Sequence, residues 1–126
     1  MYRTLIIILF LWADTKLFSS EHSVNYSFTQ ISIEQGLSQA TVQSILLDHK
    51  GTLWIGTQNG LNSYTQEGIK TYLHHSDDPH SLPSNYINHL TEDSLGNLWI
   101  ATPKGLALYD AEQDRFNTII SQAIYS

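Results

Sequence analysis

The sequence has 126 residues, enough for one small domain, and its hydrophobic content of 41% is that of a folded chain rather than a disordered one. Twelve acidic side chains against six basic ones give a formal charge of −6, and no run of Lys or Arg occurs, so we expect no nucleic-acid partner. Cysteine is absent from the sequence, which excludes disulfides, a thiol nucleophile and cysteine-ligated zinc.

The first twenty residues have the pattern of a secretory signal peptide. Arg3 precedes an apolar run at residues 5–13, and polar residues begin at Asp14. The run is too short to anchor a helix across a bilayer, and a basic start before an apolar stretch of this size is typical of a cleaved leader. We therefore predict a signal peptide at residues 1–20, cleaved near Ser19 or Ser20, and export of the chain. The alternative is a buried strand or helix at the start of a cytosolic domain.

Residues 21–36 are predicted to form a linker and an N-terminal outer strand. The strand would cover residues 26–33, because its aromatic spacing matches an outer strand further along the chain: Phe28 lies nine residues before Leu37, and Tyr72 lies ten before Leu82. It has no sheet of its own in this sequence, so we expect its partner strands to come from residues beyond 126.

Residues 37–81 contain four short strands separated by turn residues. Alternation at residues 42–47 indicates the first strand, which ends at the Asp-His-Lys-Gly turn of residues 48–51. Branched and aromatic residues at 52–57 indicate the second strand, and the Asn59-Gly60 pair that follows is a strong hairpin signal. Strands at residues 61–64 and 69–73 complete the set, before a polar loop at residues 74–83.

The same order of elements occurs a second time, because residues 37–64 and 82–109 align without a gap at an offset of 45 residues. Ten of the 28 aligned pairs are identical: Leu37/Leu82, Asp48/Asp93, Gly51/Gly96, Leu53/Leu98, Trp54/Trp99, Ile55/Ile100, Thr57/Thr102, Gly60/Gly105, Leu61/Leu106 and Tyr64/Tyr109. Strands are therefore predicted at residues 87–91, 97–102, 106–109 and 116–120. A period in the mid-forties fits a helical pair or a four-stranded propeller blade, and the local strand pattern favours the blade.

The predicted fold class is all-β. Two β-propeller blades of four antiparallel strands occupy residues 37–81 and 82–126, the second one truncated, and the extra N-terminal strand makes the set an incomplete propeller. A propeller needs four to eight blades, each burying its faces against its neighbours, so the remaining blades of the same protein are expected partners.

Both copies resemble the two-component regulator propeller repeat, V-x-x-I-x-x-D-x-x-G-x-L-W-I-G-T-x-x-G-L-x-x-Y. The second copy departs at Ala101, which stands where the first has Gly56. The resemblance covers about residues 26–120 and implies an N-terminal fragment of a periplasmic sensor. The intact protein would be anchored in the inner membrane, carry a cytoplasmic histidine kinase or diguanylate cyclase, and bind a small molecule or a glycan. Its oligomeric state stays open, with a homodimer as one of the alternatives.

Structural roles are predicted for the residues that the two copies share. Trp54 and Trp99 would fill the gaps between neighbouring blades rather than stack on a ligand. Asp48 and Asp93 open turns, where a carboxylate accepts turn amides, with calcium binding as the alternative. The remaining signature residues are the turn and strand positions Gly51, Thr57, Gly60, Tyr64, Gly96, Thr102, Gly105 and Tyr109.

Candidate ligand-binding residues lie where the copies differ. If the strands run from the inside of the ring outwards, the loops before the first strand and between the second and third strands share one face of the ring. We predict a ligand there, contacted by Gln39, Gln58, Asn59, Asn85 and Lys104, with Ala40, Ser84 and Pro103 nearby.

No catalytic set, cofactor site or metal site is predicted. His74, His75 and His80 share one loop, but no element fixes their spacing, so a solvated loop is favoured over a metal site. Sialidase-like propellers carry an S-x-D-x-G-x-T-W turn, whereas this chain has one more residue between Asp and Gly and no paired carboxylates or Ser-His-Asp set. Besides sensing, a protein-interaction scaffold stays open as an alternative, and a propeller hydrolase is the weakest one.

Overall fold

The computed structural model describes residues 23–121, so the predicted signal peptide lies outside the described residues, as do residues 122–126. Eight strands follow one another: β1 Val42–Leu47, β2 Leu53–Thr57, β3 Gly60–Thr65, β4 Gly68–Tyr72, β5 His89–Glu92, β6 Leu98–Thr102, β7 Gly105–Asp110 and β8 Arg115–Ser121. They form two four-stranded sheets in the orders β1-β2-β3-β4 and β5-β6-β7-β8. All neighbouring strands run antiparallel, which confirms the all-β prediction. We call the first sheet blade 1 and the second blade 2.

The two blades repeat each other in space as they do in sequence. Trp54 pairs with Ser63 in blade 1, and Trp99 pairs with Leu108 at the equivalent place in blade 2. The blades differ at the outer hairpin, which is tight in blade 1 and carries four connecting residues, 111–114, in blade 2. One of them, Asp114, has a positive φ of 51°, a backbone conformation in which Asp is tolerated better than most residues.

The N-terminal strand expected at residues 26–33 is not formed. Residues 23–32 have no regular secondary structure, and a 3₁₀ turn follows at Ile33–Gln35, capped by the hydroxyl of Ser32. The physical reason is that a strand exists only by pairing, and among the described strands none lies beside this segment. Phe28, whose spacing suggested the strand, is 94% exposed.

The first strand of blade 2 begins two residues later than predicted, at His89 instead of residue 87. The backbone N–H of Ile87 donates to the carbonyl of Thr57 in blade 1, at 3.0 Å, instead of to its own sheet. Its side chain is fully buried. Ile87 therefore links blade 2 to blade 1 just before β5 begins.

The hydrophobic core lies between the blades rather than inside either of them. It consists of two residues from blade 1 and seven from blade 2 with its entry loop: Trp54, Leu61, Leu82, Ile87, Leu90, Leu98, Ile100, Ala107 and Phe116. The opposite face of blade 1 leaves Ile45 and Leu47 more than half exposed. We call the contact between the two blades the seam.

Candidate functional site

Asp48 closes the first turn of blade 1 and also holds the tryptophan of the next strand. Its Oδ1 accepts the backbone N–H groups of Lys50 and Thr52, both at 2.9 Å. Its Oδ2 accepts the indole N–H of Trp54 at 2.9 Å. Both oxygens are therefore engaged by the protein, which favours the structural role over calcium binding.

Asp93 makes the same set of contacts in blade 2. Its Oδ1 accepts from the backbone of Leu95 and Asn97, and its Oδ2 accepts the indole N–H of Trp99 at 3.0 Å. The hydrogen bond from Trp99 is the largest of the effects that lower the pKa of Asp93 from 3.8 to about 2, followed by those from Asn97. The carboxylate is thus held in its charged form.

Trp54 fills the seam. It is 3% exposed, and its ring centroid lies 4.9 Å from that of Tyr109 in an edge-on arrangement and 5.9 Å from that of Tyr72. Phe116 completes the cluster at 5.3 Å from both tyrosines. Trp99, the equivalent residue of blade 2, is only partly buried on the far side of that blade.

Asp114 joins the outer hairpin of blade 2 to the outer strand of blade 1. Its Oδ1 accepts the phenol O–H groups of Tyr72, at 2.7 Å, and Tyr109, at 2.6 Å, while its Oδ2 pairs with the ammonium of Lys70. Partial burial raises the pKa of Asp114, but the hydrogen bonds from Lys70 and the two phenols outweigh it, so the pKa is lowered. Burial first, and then the bond to Asp114, raise the pKa of both tyrosines.

The threonines of the signature hold the turn between the second and third strands. Oγ1 of Thr57 donates to the carbonyl of Gly60 at 2.9 Å and accepts the N–H of Asn59 at 3.0 Å. In blade 2, Oγ1 of Thr102 donates to Gly105 at 2.8 Å and accepts from Lys104 at 3.3 Å. These turns present the residues that we predicted to contact a ligand.

Four of the five predicted ligand residues lie around one connected loop cluster. The N–H of Gln58 donates to Thr41, whose own N–H donates to the side chain of Gln39 at 2.7 Å. Next to Asn59, the N–H of Gly60 donates to the carbonyl of Asn85 at 2.6 Å. These contacts bring together the β2–β3 turn and the entry loops of both blades.

Two features weaken the cluster as a pocket. The side-chain oxygen of Asn85 already accepts the backbone N–H of His74 at 2.6 Å, and no contact among the described residues joins Lys104 to the other four. None of the five lines either of two clefts in the structure. The five residues therefore lie outside both clefts.

The larger cleft, of about 730 Å³, lies at the opposite end of the sheets, between the first turns and outer hairpins of the blades. Its walls include His49, Trp54, Tyr72, Tyr109 and Asp110. A second groove of about 460 Å³ runs between residues 30–34 and the start of blade 1, and Ala40 lines it. Comparison of the two sequence copies named Ala40, at the second groove, but it pointed away from the larger cleft, which lies at the other end of the blades.

Residues 23–121 contain no group of three His, Asp or Glu side chains placed to hold a metal ion. The loop histidines have other contacts, such as Nδ1 of His74 with the carbonyl of Leu82 at 2.6 Å. His49 instead lies across the seam, with Nδ1 at 2.9 Å from Oε2 of Glu92. Within the same residues, no helix is long and apolar enough to cross a membrane.

The paired sheets, the seam and the signature turns define the chain as a piece of a β-propeller. The two-component regulator propeller family matches at residues 36–59 and 81–104, one match in each blade. The chain thus carries two two-component regulator propeller repeats, in the segments that the internal alignment identified.

Solved structures with this fold include two extracellular domains from B. thetaiotaomicron, of the candidate hybrid two-component systems BT3049 and BT4673. The first is 35% identical over 75% of this chain with a TM-score of 0.65, and the second 29% identical over 75% with a TM-score of 0.60. Histidine kinase P4 of Formosa agariphila is 36% identical over 58 residues, or 46% of the chain. The chain spans 13% and 14% of the two structures and 4% of the kinase.

Proposed function

We propose that this chain is part of the extracytoplasmic sensing domain of a membrane-anchored signal-transduction receptor, whose output domain is a histidine kinase or a diguanylate cyclase. The carrying observation is the likeness to extracellular domains of candidate hybrid two-component systems over 75% of the chain. The predicted signal peptide is consistent with a periplasmic location. In this proposal the two blades are non-catalytic, and the kinase or cyclase lies elsewhere in the receptor.

The ligand, a small molecule or a glycan, would bind at the loop cluster of Gln39, Gln58, Asn59 and Asn85, with Lys104 at the edge. Two observations support this placement. The cluster joins loops from both blades, so a ligand bound there would contact each of them. Gln58, Asn59 and Lys104 are exposed and free to offer side-chain hydrogen bonds.

The test uses the whole extracellular domain of the receptor. Its melting temperature is measured against a panel of mono- and oligosaccharides and small organic acids, and every compound that stabilises it is titrated by calorimetry. Gln58→Ala and Lys104→Ala should weaken binding about tenfold, the loss of one or two hydrogen bonds. Gln66→Ala, an exposed change at the opposite end of blade 1, is the matched control. Unchanged affinity in the first two variants would remove the binding site from the proposal.

A protein-interaction scaffold is the second candidate, and the position of the loop cluster outside both clefts favours it, because a protein partner does not need a concave pocket. Reading the coding sequence of the gene separates the two candidates. Further repeats followed by a membrane span and a kinase or cyclase support the receptor, whereas a stop codon directly after further repeats supports the scaffold.

A further inference from the structure

Gly56 and Ala101 occupy equivalent places in the two blades. Each lies in the second strand, two residues after the tryptophan, and each pairs with the leucine at the second position of the third strand, Leu61 or Leu106. Within the second strand, Ala101 is the one residue that departs from the repeat signature. The structure shows what its counterpart Gly56 faces.

Gly56 lies against Ile87 in the seam. A Cβ atom added at Gly56 would lie 2.5 Å from Cγ2 of Ile87 and 3.0 Å from its Cβ. Ile87 has no room to withdraw, because its side chain is fully buried and its backbone N–H is tied to Thr57. A β-branched residue on one side of this contact therefore requires glycine on the other.

Ala101 faces the far side of blade 2, together with Trp99 and Leu108. This side continues the pattern of the seam, since it repeats the face of blade 1 that packs on blade 2, and Trp99 is still partly exposed there. The occupant that this continuity specifies is another four-stranded blade, stacked as blade 2 is stacked on blade 1. That step rests on the proposed function, in which the chain belongs to a larger propeller.

We propose that Ala101 selects the blade that covers blade 2, by excluding any blade with a β-branched residue at the place of Ile87. The covering blade has an unbranched residue there, because the methyl group of Ala101 occupies the volume that Cγ2 would need. A second copy of this chain does not meet the requirement. Its residue at that place is Val42, 45 positions before Ile87, which carries the same branch at Cβ.

The packing rule is tested in the existing seam by a double-mutant cycle with Gly56→Ala and Ile87→Leu. The second change removes the branch at Cβ while keeping the volume of the side chain. Gly56→Ala alone should lower the folding equilibrium constant at least about tenfold, and in the Ile87→Leu background the loss should be clearly smaller. An equal loss in both backgrounds would overturn the rule. Ala101→Gly is the control, because it exchanges the same two residue types at the equivalent place outside the seam.

The selection itself is tested with the full chain, using a second copy as the probe. Val42 is 39% exposed, so Val42→Ala should leave the fold intact while removing the branch that meets Ala101. Sedimentation equilibrium should show head-to-tail association about tenfold tighter for Val42→Ala than for the wild type or for Val42→Ile. Adding Trp99→Ala should abolish the gain. Equal association of the wild type and Val42→Ala would refute the role of Ala101, and it would leave the sensing proposal untouched, since no ligand enters this measurement.

Discussion

The indole Nε1 of Trp54 lies 2.9 Å from Oδ2 of Asp48, six residues earlier in the chain, and the ring beyond it fills the seam between the blades. One carboxylate therefore fixes both the first turn of blade 1 and the orientation of the aromatic residue that blade 2 packs against. The turn and the seam form one structural unit, and a defect in the turn should weaken the contact between the blades.

Asp48→Ala should destabilise the protein by about 1–3 kcal/mol, because it leaves the buried indole N–H of Trp54 without a partner. Asp93→Ala removes the same contacts next to Trp99, which is only partly buried, so water can replace the carboxylate and the loss should be smaller. Urea denaturation of both variants measures the difference. Equal losses would show that the burial of the indole does not decide the cost.

Ser44→Ala should destabilise the seam by about 1–3 kcal/mol. The hydroxyl of Ser44 accepts the backbone N–H of Leu90 across the seam at 3.0 Å, and Leu90 is buried, so the variant leaves an N–H group unsatisfied. Ser44→Thr keeps a hydroxyl and is the control. Hydrogen exchange at the amide of Leu90 should speed up in the alanine variant alone, and unchanged protection there would contradict the assignment.

Trp99→Phe should raise the pKa of Asp93 from about 2 towards 3.8, since the indole hydrogen bond is the largest cause of the shift. The folded state holds this carboxylate charged, so its contribution to stability is complete above about pH 4 and is lost as the pH falls through about 2. As the pH falls from about 4 to about 2, the free energy of unfolding of Trp99→Phe should therefore decrease less than that of the wild type. An NMR titration of the Asp93 carboxyl carbon gives the pKa, and an unchanged midpoint would assign the shift to the backbone amides instead.

Asp114→Asn should lower the pKa values of Tyr72 and Tyr109, while leaving them raised because burial is their largest cause. In the wild type both phenols stay protonated in the folded state, so their contribution is complete below about pH 10 and is lost as the pH rises through the folded pKa values. Alkaline unfolding should begin near that pH. Tyrosinate absorbance follows the titration, and Asp110→Asn is the control, because Asp110 lies in the same hairpin but pairs with Arg115, whereas both phenols donate to Asp114. Identical titrations in the two variants would exclude Asp114 as a cause.

Most of the fold could be predicted because its signals are local. The turn of residues 48–51 and the Asn59-Gly60 pair mark the strand ends by their own chemistry, and the structure has strands at those places. The features that were missed depend on the partner blade. The late start of β5 follows from the bond between Ile87 and Thr57, and the strand expected at residues 26–33 has no neighbour among the described strands.

Dependence on the partner blade also limits what the sequence could predict about the candidate functional site. Asp114 lies in a hairpin that is longer than its counterpart in blade 1, so comparison of the two copies has nothing to align it with. Gln58, Asn59 and Asn85 were identified from the order of the strands, and the structure brings their loops together. The cleft at the other end is formed by both blades at once, and no pattern within one copy could indicate it.

Strands in each sheet pair with their neighbours along the chain, whereas the seam joins residues that are far apart in the sequence, such as Ser44 and Leu90. Hairpins with short connections close quickly, so each sheet can form early and the contact between sheets must follow. During synthesis, the first sheet then waits with Trp54 uncovered until the chain has emerged as far as Phe116. The interval between these two events is when the nascent chain is most exposed to aggregation and proteolysis.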